Sequence, residues 1–141
     1  MSIHARVEDA GFLYANGRYE GAFLNVLVAV AATARREYPD ISGDRERFEK
    51  SLNSRWRGVI SVEYRGECHT IPEIFYKWFR CELVHEGGLP VDIDLIDTDA
   101  MSLRAGGPPE YVLKVSRGWF HWLVESVIKS PCNADEFTSW Q

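Results

Sequence analysis

Near the middle of this 141-residue chain stands Phe79-Arg80-Cys81-Glu82-Leu83-Val84-His85-Glu86-Gly87-Gly88, with a permanent cation five residues before a proton carrier. The guanidinium fork of an arginine fits two oxygens of a phosphate at once. An imidazole takes or gives a proton near neutral pH. Together Arg80 and His85 suit cleavage of RNA by its own 2′-hydroxyl: His85 activates that hydroxyl, and Arg80 stabilises charge on the phosphorus centre. One histidine cannot be base and acid in the same step, so a two-fold axis near His85 would place two Arg80/His85 sets in one cleft. On an α-helix the two residues lie ~140° apart, so their side chains must converge beyond the helix end. The same residues also have a plain structural use. A histidine in a last helical turn satisfies free carbonyls and the helix dipole, and a helical arginine is commonly just solvated.

Other clusters carry less chemistry. Cys68-His69 with Cys81 and His85 offers four soft ligands, but adjacent Cys68-His69 lacks zinc-ligand spacing. Asp92, Asp94, Asp97 and Asp99 fail the calcium-loop pattern, because Ile96 and Asp97 stand where Asp or Asn and then Gly belong. They read as solvent-facing strand aspartates that discourage edge-to-edge pairing. His121, with Arg117 and Glu125 four residues to either side, marks the exposed side of a last helix, and Trp119 and Trp122 flank its apolar stripe as core or dimer contacts. No metal and no cofactor is expected.

The elements that must position Arg80 and His85 are mostly helical. A short helix over 5–16 ends at Asn16-Gly17, and a long one runs from Arg18 to Tyr38 before Pro39. The long helix is apolar on most sides and therefore central. A surface helix over 43–57, capped by Ser42 or Asp44, carries the stripe Phe48, Leu52 and Trp56. Residues 59–66 read as a loop or short strand. Thr70-Ile71-Pro72-Glu73 fits a capping box for the Arg80/His85 helix, which Gly87-Gly88 and Pro90 close after about 24 Å. Val91-Asp92-Ile93-Asp94-Leu95 alternates like a strand, Gly106-Gly107-Pro108-Pro109 is a turn, and Tyr111 to Val115 returns, which predicts a small β-hairpin over about 91–115. Ser116 then caps a last helix with Phe120, Leu123, Val124, Val127 and Ile128 on one face, ended by Pro131, and the tail 132–141 is expected to be loosely held. The fold class is mostly α: a single domain over 1–141, a helical bundle with an inserted hairpin.

The phrase around Arg80 and His85, together with Gly17-Arg18-Tyr19-Glu20-Gly21-Ala22 opening the long apolar helix, resembles the HEPN superfamily (higher eukaryotes and prokaryotes nucleotide-binding) and its R-x(4–6)-H signature. The likeness covers roughly residues 5–88 and the last helix; the hairpin lies outside it. It implies a homodimeric, metal-independent endoribonuclease in defence or stress, with Arg80 and His85 catalytic. The alternative it allows is a non-catalytic dimer module that binds a nucleotide or a protein. Two positions depart from the family pattern. Cys81 stands where a better hydrogen-bonding residue often follows the arginine, and Gly87 stands where one toxin subgroup carries a modified tyrosine.

Composition sets outer bounds. Hydrophobic residues at 45% and charged residues at 26% are globular proportions, and the net charge of −5 argues against a sequence-general DNA binder. Residues 35–65 hold eight Lys/Arg against six acids (net +2), and residues 86–110 hold one Arg against six (net −5). The three cysteines form no CxxC pair, which points to a reducing compartment. The first residues lack a signal-peptide stretch, and the apolar run Ala22 to Ala34, broken by Asn25 and Thr33, is shorter than the ~20 residues of a membrane span. A soluble cytoplasmic protein is expected.

Overall fold

The computed structural model describes residues 2–56 and 59–140, and helices dominate it. Helix α1 (Ile3–Ala15) starts where the Ser2 hydroxyl accepts from the Ala5 N–H at 3.1 Å, and Gly17, at φ +74°, turns the chain into α2. Helix α2 (Tyr19–Glu37) is the central element: Ala22, Phe23, Val26, Leu27, Ala29, Val30, Thr33 and Ala34 are all buried. Helix α3 (Asp44–Asn53) is capped by Gly43, without the side-chain bond expected from Ser42 or Asp44. Asp44 instead pairs with Arg35 and Arg47. The helix ends at Asn53, short of the expected 57, so Trp56 of the expected stripe lies beyond it; residue 57 lies outside the described residues.

Residues 61–70 form a hairpin, β1 (Ser61–Tyr64) and β2 (Glu67–Thr70). Its two-residue turn, Arg65-Gly66, has positive φ at both positions, the geometry that matches strand twist.

The next helix is continuous but not uniform. It passes from α4 (Ile71–Glu73) through a π-helical segment (Ile74–Cys81) into α5 (Glu82–His85). Its buried residues explain the widening. Ile71, Phe75, Phe79 and Leu83 recur at strict fours, with Ile74 and Trp78 beside them. On a pure α-helix a four-residue repeat drifts by ~40° per step. A π turn, bonded i to i+5, drifts the other way and keeps the stripe in line. Phe23 of α2 meets that stripe, with ring centroids 5.5 Å from Phe79 and 6.4 Å from Phe75. The capping box is half formed: Thr70 Oγ1 accepts from the Glu73 N–H at 3.3 Å, but the Glu73 carboxylate lies 3.1 Å from His69 Nδ1 rather than on the Thr70 backbone.

The expected 91–115 hairpin is corrected. β3 (Ile93–Ile96) and β5 (Leu113–Ser116) do pair, but in parallel, with Ile93 opposite Leu113 and Leu95 opposite Val115. β4 (Leu103–Arg104) lies antiparallel on the other edge of β5, giving the order β3-β5-β4. The Gly106-Gly107-Pro108-Pro109 turn joins β4 to β5, not β3 to β5. Residues 97–112 are long enough for the crossover a parallel pair needs. Ser116 ends β5: its hydroxyl accepts from the Ser102 N–H and donates to the Ala100 carbonyl, so it does not cap α6 (Trp119–Ile128). Gly118 does, at a close approach. A Cβ there would stand 2.2 Å from the Asp99 carbonyl oxygen. Gly118→Ala is therefore expected to destabilise by up to about 3 kcal/mol, read as a lowered denaturation midpoint at unchanged slope.

The tail is also corrected. It folds back as 3₁₀ turns (Pro131–Glu136 and Thr138–Trp140) with Phe137 fully buried. Asn133 Nδ2 donates to Thr33 Oγ1 at 2.9 Å and to the Val127 carbonyl at 3.0 Å, and the Glu136 carboxylate pairs with Arg36. Gln141 lies outside the described residues. Among the described residues no helix is long and apolar enough to cross a membrane.

Candidate functional site

Arg80 sits in the last turn of the π segment and is half-buried. Its guanidinium carbon lies 5.5 Å from the centroid of the Tyr76 ring, and that ring packs at 5.3 Å on Phe48 of α3. Its Nε is buried and has no hydrogen-bond partner among the described residues. A buried donor without an acceptor costs free energy, so an oxygen arriving there removes a deficit.

His85 ends α5 and is exposed. Directly beyond it the chain turns at Gly87, φ +78°. The Leu89 N–H then donates to Glu20 Oε1 at 2.8 Å, which ties the segment after His85 to the start of α2. Beside this join lies an open groove of about 650 Å³, lined by Leu13, Arg18, Tyr19, Glu20, Gly87 and Leu95 among others.

Cys81 and Glu82, which stand between Arg80 and His85, have φ −67° and ψ −42°. Arg80 and Cys81 close the π segment, and Glu82 to His85 are α-helical, so the two side chains leave the helix well apart around its axis. Among the described residues no hydrogen bond joins the two side chains. One chain thus presents a guanidinium lying along Tyr76 and an imidazole in solvent.

The remaining titratable clusters are structural. His69 packs 4.4 Å from the Trp78 ring and holds Glu73. Cys68 is exposed and Cys81 half-buried, and among the described residues no group of three or more His, Cys, Asp or Glu is placed to hold a metal ion. The acidic stretch is not wholly solvent-facing. Asp92 Oδ1 accepts from the Tyr64 hydroxyl at 2.7 Å, and both Asp92 oxygens accept from Arg65. Arg117 is not an exposed-face residue either: it lies 3.8 Å over the Tyr19 ring and pairs with Asp97. His121 is exposed, and Trp119 and Trp122 cluster with Trp56.

The Arg65 guanidinium holds the Asp92 carboxyl down at about 2. Burial and the Asp92 carboxylate push the Tyr64 hydroxyl up. With the folded value below the unfolded value, Asp92 contributes stability above the unfolded pKa of ~3.9, and this is lost as pH falls through that value toward 2. Thermal melts between pH 6 and pH 2 should show Asp92→Asn less stable than wild type at pH 6. The gap of at most about 2 kcal/mol should close toward pH 2.

Sequence reasoning missed Tyr76, Glu20 and the Tyr19–Arg117 stack. Tyr76 was the most accessible of these, because it stands one turn before Arg80, where helical side chains meet.

Comparison with known proteins reaches the framework but not this site. A family model described as Rv1289 matches residues 2–66, which spans α1 to the hairpin turn and ends before Arg80. No curated protein matches the chain, and no solved structure does.

Proposed function

We propose that this chain is an HEPN-like helical domain that acts in the cytoplasm, as a homodimer, as a metal-independent endoribonuclease, in the defence or stress setting the resemblance implies. One observation carries the reading: the buried, unpartnered Nε of Arg80 lies just before a helix end that presents His85 to solvent. An extended helix turn of the π type recurs at functional sites, and Arg80 lies inside one.

In this mechanism His85 takes the proton of a ribose 2′-hydroxyl. The 2′-oxygen attacks the adjacent phosphorus, and the bond to the 5′-oxygen breaks. Arg80 holds the non-bridging oxygens while charge builds on them. The partner subunit's His85 gives the leaving 5′-oxygen its proton. The products are a 2′,3′-cyclic phosphate and a 5′-hydroxyl.

The test is purified protein with single-stranded RNA of varied sequence in excess chelator. Cleavage with cyclic-phosphate ends is expected, and it should fall at least about 100-fold in Arg80→Ala and in His85→Ala. Cleavage that neither change diminishes, or that never occurs, removes the reading. The acidic balance of residues 86–110 favours the second reading, a non-catalytic dimer module that binds a nucleotide or a protein. Calorimetry with nucleotides and a pull-down separate the two.

A further inference from the structure

We propose that Tyr76 is the positioning residue of Arg80 and, through it, of a phosphodiester oxygen, an inference that rests on Arg80 as the phosphate ligand. The Tyr76 ring lies within the ~6 Å reach of a cation–π contact with the guanidinium. It is itself fixed from below by Phe48, which is fully buried in α3. A rigid aromatic therefore restrains a long side chain that would otherwise lose its freedom only on binding, and restraint of this kind raises affinity.

The other arginine–ring pairs in the chain differ in one respect. Arg65 over Tyr64 also holds Asp92, and Arg117 over Tyr19 also holds Asp97. Among the described residues Arg80 has no carboxylate partner and makes no hydrogen bond. Its ring contact steadies it without neutralising it, which leaves its charge for an incoming anion; a buried Nε without a partner is shared by Arg47 and Arg117 and does not set Arg80 apart. The π segment contains both residues, so the local widening and the ring contact belong to one device.

The experiment is a double-mutant cycle on binding, read by fluorescence anisotropy with a labelled 2′-O-methyl oligoribonucleotide, which keeps the phosphodiesters and cannot be cut by its own hydroxyl. Tyr76→Leu should weaken binding roughly three- to tenfold, a range the cation–π magnitude allows. Tyr76→Phe, which keeps the ring, should stay within about twofold of wild type. In Arg80→Ala protein, Tyr76→Leu should change nothing further, whereas a merely structural role would cost the same in both backgrounds. Should Tyr76→Leu melt near the assay temperature, Tyr76→Met preserves bulk without the ring and takes its place. Equal losses in both backgrounds, no loss with Arg80 present, or no binding by wild type each overturn the proposal. Binding with the predicted coupling but no cleavage of unmodified RNA ends the nuclease reading and leaves Tyr76 in its role. Cleavage without coupling does the reverse.

Discussion

His85→Ala is expected to slow RNA cleavage by roughly 10²- to 10⁴-fold, the span that loss of a general acid or base produces. Unfolding will not account for the loss. His85 is exposed in a final helical turn, where a substitution ordinarily changes stability by no more than about 0.5 kcal/mol. Arg80→Ala should lose roughly 10²- to 10³-fold, comparable to removal of one transition-state donor. Arg80→Lys should recover only part of that, since an ammonium keeps the charge but not the two-pronged fork. Mixing wild type with His85→Ala gives the sharper measurement. In a shared cleft that needs both His85 side chains, mixed dimers keep only one, so activity should fall faster than the wild-type fraction. A fall in simple proportion to that fraction would show that each chain works alone and would end the composite-cleft mechanism.

Phe137→Ala is expected to cost about 3–5 kcal/mol, read as a fall of roughly 10 °C or more in Tm. Phe137 is four residues from the C-terminus yet fully buried, with its ring 5.3 Å from His4 and 5.3 Å from Trp140. Its loss opens a cavity between the tail and α1. Glu136 next to it is held below the usual carboxylate range by the Arg36 guanidinium, so the tail is anchored by charge as well as by packing. A variant with wild-type Tm would mean that the tail contributes nothing to the domain.

Much of the helical framework was legible in single residues. Gly17 and Pro39 bracket α2, and Thr70 with Pro72 opens the helix that carries the site, whereas Ser2 caps a first helix that begins two residues before its expected start. These signals are local: each acts on backbone groups within a few residues. Ser116 failed as a cap because its hydroxyl had a better use across the sheet, bridging Ser102 and Ala100. Glu73 failed as the second half of a capping box because His69 lay within reach on the hairpin. In both cases a partner remote in the fold or on another element outcompeted the local one.

The strands show the same division. Alternation in 91–95 and the apolar stretch 111–115 each point to a strand, and each strand begins two residues later, but such patterns do not encode direction, and the parallel pairing came from the crossover through 97–112. Nothing local in residues 132–141 predicts a docked tail, yet Phe137 found a complete pocket.

The amino-acid order alone determined which segments are helical and, for α2 and the Thr70–His85 helix, where they begin and end, which faces are apolar, and that Arg80 precedes His85 by five residues. Hydrogen-bond capping and hydrophobic period act over one or two turns, so they can be read without a fold. Only the tertiary structure decided that the apolar fours of this helix widen it into a π segment against Phe23, that Tyr76, packed on Phe48, lies against the guanidinium, and that its Nε has no acceptor among the described residues. Those features depend on which other surfaces arrive, and long-range packing is not written in the spacing of neighbours.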